Sequence, residues 1–131
     1  MEIPVETKVI ETTAFQTWMG NDGIARTKVK PQSEITVKEA KENSDAVNSL
    51  HSETNFPLLV DARNIKSMTK DARDHFSMNN RASYVNAFAI LIDSPLSKII
   101  GNFFMGLNKP RVPARLFTEE EEALLWLRGY L

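Results

Sequence analysis

A chain of 131 residues with formal net charge -1, 25% charged and 42% apolar, reads as one domain over residues 1–131, long enough to bury a core without disulfides or metal. The near-neutral charge excludes the basic surplus that nucleic-acid binders need, and the lack of cysteine excludes disulfides, thiolate catalysis and cysteine-ligated zinc. The acidic opening Met-Glu-Ile-Pro-Val-Glu is no signal peptide, and no apolar run approaches the roughly 20 residues of a membrane-spanning helix, so a soluble cytoplasmic protein is expected.

Lys8 to Met19 is rich in Thr, Val, Phe and Trp and predicts a strand. Gly20-Asn21-Asp22-Gly23 predicts a turn, and Ile24 to Lys30 the returning strand of a hairpin that Pro31 ends. Thr36-Val-Lys-Glu39 is a capping box for a helix from about Val37 to Ser52, with Ala40, Val47 and Leu50 facing inward. Phe56 to Val60 is continuously apolar, as in a strand covered on both faces. Thr69 caps a helix from about Lys70 to Tyr84, with Asp71 and Asp74 near its positive end.

Ala87 to Ile92 predicts the next buried strand, and Ser94-Pro95 supplies the cap and first residue of another helix, ending near Gly106. Ala114 to Phe117 is the last strand. Thr118 to Glu121 forms a second capping box, opening a helix that buries Ala123, Leu124, Trp126 and Leu127. The order is ββαβαβαβα, an α/β fold whose mixed sheet has its last three strands parallel and a hairpin adding antiparallel pairing. Such sheets bind ligands beyond the carboxyl ends of their parallel strands. Here those ends carry Asp61 and Arg63, then Asp93 and Ser94, then Thr118.

Leu-Leu-Val-Asp61-Ala-Arg63, followed by Ile65 and Met68, resembles the STAS fold of anti-sigma-factor antagonists. Ser94-Pro95 through Ile-Gly-Asn-Phe-Phe-Met-Gly-Leu-Asn-Lys-Pro to Ala-Arg-Leu-Phe-Thr more closely resembles a STAS-like bacterial family without an assigned biochemical role, over about residues 20 to 128. The resemblance implies a regulatory module that binds a partner kinase and is switched by phosphorylation at the start of the helix after the Asp-bearing strand. That position falls near Lys70 or Asp71, which no serine kinase modifies; Thr69 and Ser67 lie just before it. Asp71 has the charge of a phosphorylated state and also the ordinary role of a helix-start acid.

Asp61 and Arg63, with Asp93, are candidates for contact with a polar ligand or partner; the alternative is an ion pair that fixes the loop. Ser94 opens a helix whose free amide hydrogens suit an anion, although Asp93 beside it opposes one. Lys109 and Arg111, with Arg115, form a basic group for acidic headgroups or an acidic partner, or else a solvated face with Arg115 paired to a carboxylate. Leu96, Ile99, Ile100, Phe103, Phe104 and Leu107 make a broad apolar helix face, with Met105 outside it. Its readings are core packing, or an interface for a homodimer, a protein partner or lipid.

His51 and His75 are the only histidines, and no His-Glu-x-x-His pattern exists, so no metal is expected. Neither a Gly-rich phosphate loop nor a Gly-x-Ser-x-Gly elbow occurs, and no cofactor is expected. The leading expectation is a non-catalytic protein-interaction module. The alternative is a carrier or sensor of a lipid or other apolar small molecule, as in CRAL-TRIO-like domains. It requires an apolar pocket beneath the helix that opens at Ser94.

Overall fold

A computed structural model describes residues 1–50, 53–79, 84–95, 98–99 and 112–131, with the side chains of residues 77–79 outside the description. The elements are β1 (Ile10–Glu11), β2 (Phe15–Met19), β3 (Ala25–Val29), β4 (Glu34–Ile35), α1 (Val37–Asn48), β5 (Phe56–Asp61), β6 (Ser67–Met68), α2 (Lys70–Asn79), β7 (Val85–Leu91), β8 (Ala114–Phe117) and α3 (Glu120–Arg128). Pro95, Lys98 and Ile99 are also helical.

The main sheet has six strands in the order β1-β2-β3-β5-β7-β8. β1 to β3 pair antiparallel, and β3, β5, β7 and β8 run parallel, so the mixed α/β architecture is as expected, with one more parallel pairing than the last three strands alone provide. The predicted Lys8–Met19 strand is in fact two. The Thr12 hydroxyl and amide both bond to Phe15 (Phe15 N to Oγ1 3.1 Å, Thr12 N to Phe15 O 3.0 Å), which folds β1 back onto β2. A threonine turn closed by its own hydroxyl is invisible to a count of β-formers.

The hairpin turn forms where expected, with Gly23 at φ +83° and its amide donating to Gly20 O at 3.1 Å. α1 starts at its capping box, where Glu39 Oε1 accepts the Thr36 amide hydrogen at 2.9 Å. α1 ends at Asn48, before the expected Ser52. The helix expected to reach Tyr84 has its last described turn at Asn79; Tyr84 is not helical, and its carbonyl accepts the Phe56 amide at 3.0 Å.

At the last helix the cap is Glu119 in extended conformation, not Thr118, and Ala123 N makes the first helical bond back to Glu119 O at 3.2 Å. The extended Glu119 moves the helix start one residue on, so the expected capping-box spacing from Thr118 does not apply. Two short strands were not anticipated: β4 and β6 pair in parallel as a separate two-stranded sheet.

Strand alternation sends side chains to two different layers. Leu59 of β5 and Ala87, Ala89 and Leu91 of β7 point to the α3 side, where they meet Ile24, Phe117, Ala123 and Leu127. Leu58 and Phe88 point the other way, in a cluster with Ala25, Val47 and Phe56 under α1. Phe15, Val29, Ile35, Ala40, Ile65 and Ala72 complete that layer, with Met68 and Phe76 packed against them.

Candidate functional site

The carboxyl end of β5 is built around an ion pair. Asp61 closes the strand and is 3% exposed. Its Oδ1 accepts the Arg63 backbone amide at 3.1 Å and Nε at 2.9 Å, while Oδ2 accepts Nη2 at 2.9 Å. Hydrogen bonding by Asp61 raises the Arg63 pKa above its ordinary value, against a smaller effect of burial; the charges of Asp61, Glu120 and Asp93 add to the rise. The fold therefore gathers Asp61, Arg63 and Asp93 in one electrostatic neighbourhood, with Glu120 joining from α3.

The loop beyond is pinned to the segment before α1. Asn64 takes a positive φ of 66°, and its carbonyl accepts the Gln32 amide at 2.8 Å. Thr69 N donates to Ile35 O at 2.9 Å, extending the β4–β6 pairing. Thr69 is thus fixed at the start of α2, exposed, with its hydroxyl oxygen accepting the Ala72 amide at 3.2 Å. That is a helix cap. Arg73 Nη1 donates to Met68 O at 2.7 Å beside it, Asp71 is exposed in the first turn, and Lys70 pairs with Asp74 at 3.1 Å. Ser67 lies half-buried in β6.

Ser94 O accepts the Lys98 amide at 2.9 Å, which sets Ser94 at a helix start, with exposed Asp93 preceding it. Ile99 is 65% exposed. Ile100, Phe103, Phe104, Met105, Leu107, Lys109 and Arg111 lie outside the described residues. Arg115 was expected to pair with a carboxylate; among the described residues its guanidinium lies instead over the Phe117 ring, 5.2 Å from the centroid. His75 Nε2 is 3.1 Å from Ser44 Oγ, joining α2 to α1.

A second feature lies between the sheet and α1. An apolar cavity of about 140 Å³ is lined by Phe15, Val29, Leu58, Phe88 and Ile90 from the strands and by Asn43, Ser44 and Val47 from α1, among others. Beside it sits a buried polar trio. Thr17 and Thr27 oppose each other in the hairpin with their hydroxyls 2.9 Å apart, and Thr27 Oγ1 donates to Asn43 Oδ1 at 2.7 Å. Sequence reasoning missed the trio, although two signals were available. Thr17 stands three residues before Gly20 and Thr27 four after Gly23, which sets them nearly opposite across the turn, and Asn43 shares a helical face with Ala40 and Val47.

No curated protein matches this sequence. Among solved structures, one similar chain is an uncharacterized protein of the DUF3478 family with a SpoIIAA-like fold from Shewanella loihica PV-4, with TM-score 0.63, 14% identity, and coverage of 97% of this chain and 98% of that one. An anti-sigma factor antagonist from Mycobacterium paratuberculosis matches with TM-score 0.60, 16% identity, and coverage of 93% and 92%. A protein of unknown function from Arthrobacter sp. FB24 is 33% identical over 85% of this chain and 96% of its own, with TM-score 0.32. The first two establish a STAS-like, SpoIIAA-like fold. Residues 17–131 match the family described as Domain of unknown function (DUF7793), and the chain belongs to that family.

Proposed function

We propose that this chain is a non-catalytic regulatory module of the cytoplasm that recognises a protein partner through the start of α2 and the loop leading from Asp61. The observation that carries this reading is Thr69. The residue is exposed, its hydroxyl caps the helix, its backbone is held by Ile35, and it lies beyond a parallel strand's carboxyl end in a fold shared with an anti-sigma factor antagonist. Asp71 presents a negative charge on the same turn, and a phosphate on Thr69 would sit at the positive amino end of α2.

Two measurements test it. Phosphopeptide mapping after incubation with serine/threonine kinases should place modification at Thr69 or Ser67. Affinity purification from native cells should recover a partner with the wild type and lose it with Asp71→Lys, both proteins remaining folded by circular dichroism. Recovery of the same partner by both, with no modification at either hydroxyl, would overturn the proposal.

A second reading, a sensor or carrier of an apolar small molecule, is favoured by one specific observation, the cavity between the sheet and α1. Native mass spectrometry of freshly purified protein tests it through a retained small molecule.

A further inference from the structure

Asn43 is 6% exposed on the inner side of α1, and its Oδ1 is occupied by Thr27 at 2.7 Å, with Thr17 Oγ1 at 3.4 Å. Its Nδ2 has no hydrogen-bond partner among the described residues, and Asn43 lines the cavity. The amide donor of this cavity-lining residue is therefore free to bond. A ligand acceptor placed against it gains a directional hydrogen bond in an otherwise largely apolar setting.

We infer that the cavity is a binding site for a neutral molecule about the size of one substituted ring, carrying a single hydrogen-bond acceptor that meets Asn43 Nδ2. This rests on the second reading above and narrows it. Size sets the first limit. The cavity measures about 140 Å³, and an apolar cavity of about 150 Å³ in another protein admits benzene. A long acyl chain would leave most of its length outside. Charge sets the second limit. Among the described lining residues no Lys or Arg offers a carboxylate a counter-ion, which favours a neutral ligand. Chemistry sets the third. Phe15, Phe76 and Phe88 offer ring contacts, and the Asn43 amide offers a directional donor.

The full chain is titrated with acetophenone, toluene, benzoate and palmitate, binding being read from amide chemical shifts. Acetophenone should bind at least about tenfold more tightly than toluene, and benzoate and palmitate more weakly than either. Asn43→Leu should abolish the preference for acetophenone over toluene. If that variant does not fold, Overhauser contacts from acetophenone to the Val47 and Ile90 methyls of the wild type locate the ligand, and the wild-type acetophenone-to-toluene ratio reports the amide. Equal binding of acetophenone and toluene overturns the role of Asn43, and benzoate binding as tightly as acetophenone overturns the neutral class. Palmitate binding without acetophenone overturns the size argument but leaves the apolar-ligand reading standing. No binding by any of the four overturns both.

Discussion

The two sides of the same central strands are built on opposite plans. Towards α3, Ile24, Leu59, Ala87, Ala89, Leu91, Ala123 and Leu127 are all fully buried, and the alanines of β7 let the helix come close. Towards α1 the same strands present Leu58, Phe88 and Ile90, yet these larger side chains surround unfilled space and a polar trio. Small residues pack densely where a helix lies directly on the strands; large ones leave a void where the helix carries Asn43 and Ser44 instead of leucines. The α3 side is the denser of the two, and the α1 side holds both the void and the polar trio.

The largest effect should come from the dense side. Leu59→Ala removes a fully buried side chain from the α3 layer, and should cost about 3–4 kcal/mol in urea unfolding. Val47→Ala, at the cavity, should cost about 1.5 kcal/mol, close to the transfer cost of the lost methyl groups alone. Equal losses would erase the contrast between the two sides.

Asp61→Ala tests whether the end of β5 on the α3 side is held by charge. Three bonds to Arg63 are lost, but Arg63 is half-buried and can turn to water, so about 2 kcal/mol is expected. A loss below about 0.5 kcal/mol would make the pair a surface ornament. Thr27→Val on the other side keeps shape and removes the hydroxyl that serves Asn43. It should cost about 1 kcal/mol, read from the same urea curves. A gain in stability would mean that the trio is strained.

These contrasts were only partly legible in the sequence. Phe56–Val60 was readable because a covered strand must be apolar along its length, and the Thr36–Glu39 box because its spacing has a single geometric meaning. The β4–β6 pair was not readable, since two-residue strands have no period; only the folded loop brings Glu34 to Ser67. The Asp61–Arg63 ion pair was readable as one of two alternatives, but not its bidentate geometry, which depends on the turn through Ala62. The cavity left no linear trace. Its described walls come from seven separated segments, and what distinguishes it from core is the volume that is missing.

The smallest effect concerns pH and should be confined to the α1 side. Burial lowers the His75 pKa from 6.5, the nearby Lys41 lowers it further, and Asp45 opposes them. Above 6.5 the ring is neutral in both folded and unfolded chains, and the full stability is present. As pH falls below that value the unfolded chain takes up the proton first, so stability declines until the folded ring protonates as well. The urea midpoint of the wild type should therefore drop between about pH 7 and 5, and the drop should be smaller in His75→Gln. The carboxylates held low by their partners, Glu11, Asp22 and Glu39, start from 4.5, 3.8 and 4.5 and lose their contribution only at lower pH, outside that window. Because His75 meets Ser44, a residue of the cavity wall, acidification should also weaken acetophenone binding more in the wild type than in His75→Gln. A midpoint with the same slope in both proteins would mean that protonation of the α1–α2 contact is not felt by the fold.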